Sequence, residues 1–253
     1  MSHINGHRAV HFERIDSTNS EARRLADAGE RGPLWLWADE QTGGRGRLGR
    51  SWVSEPGNLY ATLLFAIAPG PEIAAQVSFV AALAVHDLVT GLLPELRTLI
   101  KWPNDVLIGG AKVCGLLAEV VGANPTAIAL GCGLNIAHAP EGTPYPVTAL
   151  ARHGSVPPVE SILQLLDSSL SNRLKLWDEG RGFGALREDW MKRAAGVGGE
   201  AAALIGEREV RGRFVGLAAD GALILELADN TRKHIHAGDV RFAAIETLGK
   251  VSI

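Results

Sequence analysis

The residues best suited to chemistry in this sequence form a short loop rich in glycine and arginine. Gly43–Arg50 contains four glycines and three arginines, although the formal net charge of the whole chain is −3. Glycine lets a backbone approach a ligand closely, and guanidinium groups bind phosphate and carboxylate oxygens through paired hydrogen bonds. The loop therefore favours a polyphosphate or acyl-phosphate ligand. The plain alternative is a solvated basic hairpin without a ligand.

The neighbours of this loop exclude the common nucleotide-binding folds. Gly44–Gly49 fits the pattern G-x-G-x-x-G, but a dinucleotide site needs a helix directly after the glycines. The segment Ser54–Asn58 contains proline and glycine, which break a helix, and Asn58–Phe65 is typical of a strand. The sequence has no G-x-x-x-x-G-K-[ST] phosphate loop and no H-R-D or D-F-G kinase triplet. The loop thus connects two strands.

A second polar cluster lies in the middle of the chain. Lys101–Asp105 follows an apolar strand, and Lys112 comes after the turn Gly109-Gly110, so the hairpin folds Lys112 back beside the Lys101–Asp105 segment. Two ammonium groups and a carboxylate suit an anionic ligand, with Asp105 available for Mg²⁺. The alternative is a structural ion pair between Lys101 and Asp105. Further along, Asn135 ends a strand, where it either pairs with an adenine edge or forms a plain turn.

Composition restricts the class of protein. The 253 residues are 46% hydrophobic and 21% charged, which is typical of one or two globular domains. Basic and acidic residues nearly balance, 25 against 28, so charge alone does not favour binding of nucleic acid over the whole surface. Cys114 and Cys132 stand in apolar runs and predict buried thiols in a cytoplasmic protein. Ile73–Leu93 includes His86 and Asp87, which favours a core helix over a membrane span.

The order of the predicted elements favours a mixed α+β sheet over a regular βαβ repeat. Thr18–Glu21 has the pattern of a capping box with Thr18 as the cap, opening a helix that ends at Gly29. From Gly196 onward, short strands alternate with turn signals and indicate a small β-barrel. We therefore predict two domains, 1–195 and 196–253. The predicted strands are 34–40, 58–65, 98–101, 106–108, 112–121, 127–136, 210–216, 223–227, 233–236 and 240–245, and the longer helices are 73–93, 159–177 and 183–194.

Together, these segments resemble the biotin protein ligases. The order and spacing fit over roughly residues 10 to 250. The matching motifs are Ser17-Thr18-Asn19, Gln41, Gly44–Trp52, Lys101–Asp105, Lys112 with Gly115, Leu117 and Glu119, and Gly131-x-Gly133-x-Asn135. The resemblance implies a mixed-sheet catalytic domain of the class II synthetase and biotin–lipoate ligase type, followed by a small SH3-like β-barrel.

The resemblance also implies an activity. Such enzymes join biotin to ATP as biotinyl-5'-AMP and transfer biotin to a lysine of a biotin carboxyl carrier protein, as in acetyl-CoA carboxylase. By resemblance, Arg45, Arg47 and Lys112 act on the biotin carboxylate and the α-phosphate. Lys101 and Asp105 then handle the remaining phosphates and Mg²⁺.

The resemblance assigns a binding role to further residues. Ser17, Thr18, Asn19 and Gln41 would hold the ureido ring of biotin, and Trp52 and Asn135 the adenine. The remaining residues expected at the ligand are Gly44, Gly46, Arg50, Asn104, Gly115 and Gly133. We also expect the Gly43–Arg50 loop to be disordered without ligand and to close over it. Leu48 replaces an arginine of many relatives and would serve as an apolar anchor of the closed loop.

Other functions compete with this interpretation. A lipoate–protein ligase would share the fold and the adenylating chemistry. A non-catalytic anion or nucleic-acid binder would use Arg45, Arg47 and Arg50 but would not need Lys112 opposite Asp105. Only sixteen residues precede Ser17, so we expect no helix-turn-helix domain and no sequence-specific DNA binding. An exposed strand edge could pair with the carrier or with a second copy of the chain, giving a homodimer.

Overall fold

The computed structural model describes residues 2–243 and residue 245. Its strands form two separate sheets, with three of its α-helices packed against the larger sheet and a fourth packed mainly on two of those helices. The helices are α1 (Thr18–Asp27), α2 (Ala74–Leu92), α3 (Val159–Trp177) and α4 (Phe183–Lys192). The strands are β1 (Ser2–Ile4), β2 (His7–Ile15), β3 (Leu34–Gln41), β4 (Leu59–Ile67), β5 (Thr98–Lys101), β6 (Asp105–Ile108), β7 (Ala111–Gly122), β8 (Thr126–Leu134), β9 (Glu200–Ile205), β10 (Arg208–Leu217), β11 (Leu223–Glu226), β12 (Arg232–Ile235) and β13 (Asp239–Phe242).

The larger sheet has eight strands in the order β1-β2-β3-β4-β8-β7-β6-β5. The pair β2–β3 is parallel and the other pairs are antiparallel, so the predicted mixed sheet is confirmed. β4 is buried along almost its whole length because helices cover both faces of the sheet at this strand. The sequence analysis did not predict β1 and β2, since the alternating polar residues of β2 resemble a solvated terminus.

α2 is the central core helix. Pro71–Leu92 is long and apolar enough to cross a membrane by length and composition alone. In the fold, however, 67% of its apolar window is buried, against the sheet on one side and α3 and α4 on the other. α1 packs on the opposite face, where Ala22 and Ala26 contact a small cluster that includes Leu36. The predicted core helix is therefore confirmed.

α1 begins one residue earlier than the capping box predicted. Ser17 is the N-cap, with extended backbone at φ −163°, and its hydroxyl accepts a weak bond of 3.4 Å from the Ser20 amide. Thr18 is already in the first helical turn, and its amide and hydroxyl both donate to the Gln41 side chain. The prediction of Thr18 as the cap was wrong because a tertiary contact with β3 claims its side chain.

The second sheet is antiparallel, with the order β12-β11-β10-β9-β13. The strand predicted to reach residue 245 ends at Phe242, and β9 is an addition that its alanine-rich sequence did not signal. The indole of Trp102 donates to the Gly221 carbonyl at 3.1 Å and thereby joins the two sheets. The boundary between residues 195 and 196 stays a prediction, and residues 244 and 246–253 of the second predicted domain lie outside the described part.

Candidate active site

One cavity collects almost all of the residues that the sequence analysis singled out. It measures about 940 Å³, including the part open to solvent. It lies between the start of α1, the Gly43–Arg50 loop, the β5–β6–β7 hairpins and the start of β13. The predicted residues on its wall are Ser17, Thr18, Asn19, Gln41, Arg45, Gly46, Arg47, Arg50, Trp52, Lys101, Asn104, Asp105, Lys112, Gly115 and Gly133.

The Gly43–Arg50 loop folds back on itself beside this cavity. The Trp52 amide donates to the Gly44 carbonyl at 2.9 Å, and the Gly46 amide donates to the Arg50 carbonyl at 2.7 Å. Leu48 occupies the tip in the left-handed region, at φ 57°, and 69% of its surface is exposed. The turn directs the Leu48 side chain outward in this conformation, and its role as an anchor of the ligand-closed loop stays a prediction.

Each arginine of the loop meets a different partner. Arg47 donates to the Asn104 side chain at 3.3 Å, Arg50 donates to Asp239 at 2.8 Å, and Arg45 lies 3.9 Å from Glu119. Burial lowers the pKa of Arg47 and outweighs the opposing effect of nearby carboxylates. An arginine keeps its proton at neutral pH even so. The loop therefore contributes fixed positive charge to the cavity.

Lys112 and Asp105 form a close ion pair at the centre of the site. The Lys112 Nζ atom is 2.7 Å from Asp105 Oδ1, and it lies 5.2 Å and 5.7 Å from the ring centres of Trp52 and Tyr145. Burial alone would lower the pKa of Lys112, but the charge and hydrogen bond of Asp105 raise it overall. The ammonium thus stays charged. Lys101, which stands opposite Asp105 in the hairpin register, lines the cavity without replacing Lys112 in this pair.

The Trp52 ring lies against two glycines of the central strands. A Cβ atom added at Gly133 would come within 2.5 Å of the indole, and one added at Gly115 within 2.7 Å. Such distances are impossible without a shift, so glycine is what allows the ring to approach the sheet. The Trp52 Nε1 atom is buried and has no hydrogen-bond partner among the described residues. A bound ligand could accept that hydrogen bond.

A polar network lines part of the cavity wall. The Gln41 carbonyl oxygen accepts from the amide and hydroxyl of Thr18, and the Gln41 amide donates to Ser54 at 3.0 Å. The Asn19 amide donates to Glu119 at 2.7 Å. The hydroxyl of Thr62, buried in β4, contacts the side-chain oxygens of Thr18 and Asn19. These bonds hold donors and acceptors in fixed directions, as recognition of a polar ring requires.

Comparisons with known proteins agree with this geometry. The model of the Biotin/lipoate A/B protein ligase family matches residues 11–135, and that of the Biotin protein ligase C terminal domain matches residues 201–242. A biotin–[acetyl-CoA-carboxylase] ligase of Paracoccus denitrificans is 42% identical over 239 residues, covering 90% of this chain and 98% of the relative. This chain belongs to the biotin protein ligase family.

Two further comparisons support the same family. The biotin–[acetyl-CoA-carboxylase] ligase of Mycobacterium tuberculosis is 33% identical over 231 residues, covering 88% of this chain and 85% of the relative. The structure of the biotin protein ligase from Aquifex aeolicus in complex with biotin and ATP superposes with a TM-score of 0.79 at 27% identity. That match covers 93% of this chain and 99% of the Aquifex chain. The five-stranded C-terminal sheet thus corresponds to the small SH3-like domain of this ligase family.

Two predicted residues of the ligase lie outside the cavity wall. The Asn135 amide donates to the Thr148 carbonyl at 3.1 Å, which gives that side chain a structural bond behind the site. Gly44 supports the base of the loop, where a Cβ atom would meet the Trp52 carbonyl. Contact of either residue with a ligand stays a prediction. The structure does not bring them to the wall, because strand pairing and the loop hairpin already engage them.

Several residues at or beside the cavity were absent from the predicted site residues, and four of them have polar side chains that bear on the site. Tyr145 and Asp239 line its wall, while Thr62 and Glu119 support Thr18 and Asn19 from behind. Glu119 belongs to the motif that follows Lys112, so a signal for it existed. Thr62 is a polar residue within an apolar strand, which only weakly indicates a functional role. Asp239 lies in a different sheet, and no local pattern pointed to it.

Proposed function

We propose that this ligase uses ATP to activate biotin as biotinyl-5'-AMP, with release of pyrophosphate, and transfers biotin to a lysine of a carrier protein. The observation that carries the proposal is that the Lys112–Asp105 pair and the arginines of the loop line one cavity. The polar network around Thr18, Asn19 and Gln41 lies in that same cavity. The cavity therefore offers cations that suit phosphates and fixed polar groups that suit a polar ring.

The first step brings two anions together. An oxygen of the biotin carboxylate attacks the α-phosphorus of ATP, and the bond to pyrophosphate breaks. Fixed cations that face the developing charge stabilise such a transition state more than they stabilise the separate reactants. Lys112, held by Asp105 and flanked by two aromatic rings, is the proposed cation at the reacting oxygens. Arg47, held by Asn104, and Lys101 are the proposed contacts of the other phosphate oxygens.

The polar network and the apolar wall of the cavity would hold the rest of biotin. The network of Thr18, Asn19 and Gln41 is proposed to bind the ureido ring, together with the Ser17 hydroxyl at the start of α1. Apolar wall residues would bury the sulfur ring and the aliphatic chain. These wall residues are Ala61, Leu116, Leu117 and Cys132.

Mg²⁺ fits this site as a companion of ATP. Magnesium keeps most of its ligands as water and phosphate oxygens and needs few from the protein. No cluster of three or more His, Cys, Asp or Glu side chains suited to a metal occurs among the described residues. The Asp105 carboxylate, with one oxygen on Lys112, is the proposed protein contact. When bound, the ion would neutralise phosphate charge.

The acceptor completes the reaction. The ε-amine of a carrier lysine attacks the mixed anhydride, an amide bond forms and AMP leaves. The relatives named for acetyl-CoA carboxylase make its biotin carboxyl carrier the proposed partner. The two thiols, Cys114 and Cys132, are both free with their sulfur atoms 3.6 Å apart, which is consistent with a reducing cytoplasm.

Pyrophosphate release from ATP and Mg²⁺ tests the proposal, measured with biotin, with lipoate and without either acid. Release should depend on biotin, and Lys112→Ala should lower kcat/KM by about 10²–10³, as loss of one transition-state donor typically does. Lys175→Ala, which removes an exposed lysine of α3, is the matched control and should react normally.

A third variant, Lys112→Arg, separates charge from position. It keeps the cation and the partner of Asp105 while moving the donors, so folding should survive and the rate should still fall. Release that depends on lipoate would contradict biotin as the substrate. If neither acid supports pyrophosphate release, the glycine-rich loop belongs to a protein that only binds anions.

A further inference from the structure

The second sheet contributes a contact to the loop that lies beside the proposed ATP and biotin site. Asp239 is the first residue of β13, and its Oδ2 atom accepts a hydrogen bond of 2.8 Å from the Arg50 guanidinium. Gly238, Asp239 and Val240 all line the cavity. Arg50 ends the glycine-rich loop, and its backbone carbonyl accepts from the Gly46 amide. The Asp239 bond therefore acts on the whole loop.

The backbone brings Asp239 to this place for a specific reason. Gly238 has φ +144°, and a Cβ atom there would come within 2.7 Å of the Leu204 carbonyl. The chain can therefore pass close to β9 and deliver Asp239 to the rim of the cavity. Asp239 itself pairs with Leu204 in the antiparallel register of β13 and β9. Its carboxylate is consequently fixed by a sheet rather than by a free loop.

The charges around Asp239 favour its ionised form. Burial alone would raise the pKa of this carboxyl, but the hydrogen bond from Arg50 and the charges of Arg50, Lys101 and Arg241 lower it overall. The same bond raises the pKa of Arg50. The pair is about half exposed, with 54% of the Arg50 side chain and 40% of the Asp239 side chain accessible to solvent. Such a contact contributes little to global stability and is easily broken.

We propose that Asp239 is a latch, a positioning residue that holds the Gly43–Arg50 loop closed over the bound ligands through Arg50. The inference rests on the proposed function for its ligands, biotin and ATP. Arg50 then acts through loop closure, whereas Arg47 and Lys112 face the reacting groups. A closed loop keeps water from the mixed anhydride, and release of the latch allows the carrier lysine to enter. The second sheet thereby takes part in retaining the intermediate.

Limited trypsin digestion of the ligand-free protein tests the latch without any turnover. Cleavage after Arg45, Arg47 and Arg50 is followed by mass spectrometry and compared with cleavage after Arg181, an exposed arginine remote from the loop. Asp239→Ala should accelerate loop cleavage about 2- to 5-fold, the range that corresponds to an exposed ion pair. Asp239→Glu keeps a carboxylate and should restore slow cleavage.

Glu209→Ala is the matched control because it breaks exposed ion pairs with Arg211 and Arg241 in the same sheet without contacting the loop. It should leave loop cleavage unchanged. Equal cleavage in Asp239→Ala and Glu209→Ala would overturn the proposal. High salt supplies a test on the unmodified protein, since screening should speed loop cleavage more there than in Asp239→Ala, where Arg45–Glu119 is the remaining ion pair of the loop arginines. A salt response of equal size in both would also overturn the latch.

Enzyme kinetics then connect the latch to function. Asp239→Ala should raise KM for biotin and increase escape of biotinyl-5'-AMP into solution by about 2- to 5-fold, with kcat for pyrophosphate release nearly unchanged. If Asp239 were purely structural, its substitution would lower the melting temperature without raising KM selectively over kcat. The digestion experiment needs no ligand, so an incorrect substrate assignment would leave its outcome unaffected. Faster loop cleavage with an unchanged KM and no added escape would contradict the latch as a device of the reaction.

Discussion

At the scale of single residues, close approach decides the shape of the site. Trp52 reaches the central sheet only because Gly115 and Gly133 carry no side chain. The ring in turn lies 5.2 Å from the Lys112 ammonium, which adds a cation–π contact to the ion pair with Asp105. The absence of side chains at these two glycines thus fixes the position of the Trp52 ring and, through the ring, that of the proposed catalytic cation.

We predict that Gly133→Ala weakens binding of a non-hydrolysable ATP analogue by about tenfold. The new methyl group would collide with the Trp52 ring, and overpacking of this kind costs about 1–3 kcal/mol. Calorimetric titration measures the change. Gly184→Ala is the control, since Gly184 lies in α4 with nothing within 4 Å of the added atom. It should bind normally and stabilise the helix slightly. Equal affinity in both variants would contradict a role for the close approach.

At the scale of elements, one arginine connects three helices. Arg173 of α3 donates two bonds to Asp87 of α2, at 2.7 and 2.9 Å, and one of 2.7 Å to Asp189 of α4. Burial alone would raise the pKa of Asp87, but the nearby His86 ring, 3.9 Å away, and two hydrogen bonds from Arg173 lower it to about 2. The three helices lie on the face of the sheet opposite α1 and are held in register by these charges.

This network predicts an acid-sensitive part of the stability. Because folding lowers the pKa of Asp87, its stabilisation is present above the ordinary carboxyl pKa near 4 and is lost as pH falls towards 2. Asp87→Asn should lower the free energy of unfolding at neutral pH by roughly 1 kcal/mol, allowing for solvent screening of a side chain that is 34% exposed. Urea unfolding across this pH range measures it. Asp27→Asn, at an exposed position in α1, is the control and should change the free energy of unfolding little. If Asp87→Asn lowered this free energy by the same amount at every pH, the argument would be contradicted.

At the scale of the whole molecule, two sheets share one functional cavity. Trp102 of the Lys101–Asp105 segment donates to the Gly221 carbonyl of the second sheet, and Asp239 bonds the loop from the same side. Gly221 also lies against the Phe79 ring of α2, where an added Cβ atom would come within 2.8 Å. The second sheet is therefore packed on the catalytic sheet by contacts next to the site.

We predict that Gly221→Ala lowers the free energy of unfolding by roughly 1–3 kcal/mol more than Gly206→Ala. Both glycines have positive φ, +91° and +60°, so both substitutions strain the backbone. Only Gly221 has neighbours within 4 Å, and the difference therefore isolates the contact between the sheets. Chemical denaturation measures both. Equal losses would mean that this contact contributes nothing beyond backbone strain.

Local patterns in the sequence were sufficient for much of the fold. α3 was predicted at its observed bounds, and α2 within one residue at each end, because hydrophobic periodicity reflects burial of one helix face. The approach of Lys112 to Asp105 was also predictable, since a tight turn and antiparallel register bring nearby residues together. The glycine–arginine loop indicated an anionic ligand from residue types alone.

Only the tertiary structure brought together the rest of the site. Thr62 meets Asn19 across a helix–sheet contact, and Asp239 meets Arg50 across two sheets, at separations of 43 and 189 residues. No local period encodes such pairs, because they depend on how whole elements pack. The helix cap also depended on tertiary packing. Thr18 bonds Gln41 of β3, and Ser17 caps α1 in its place. The sequence by itself determined the chemistry of the site, and packing decided which residues position it.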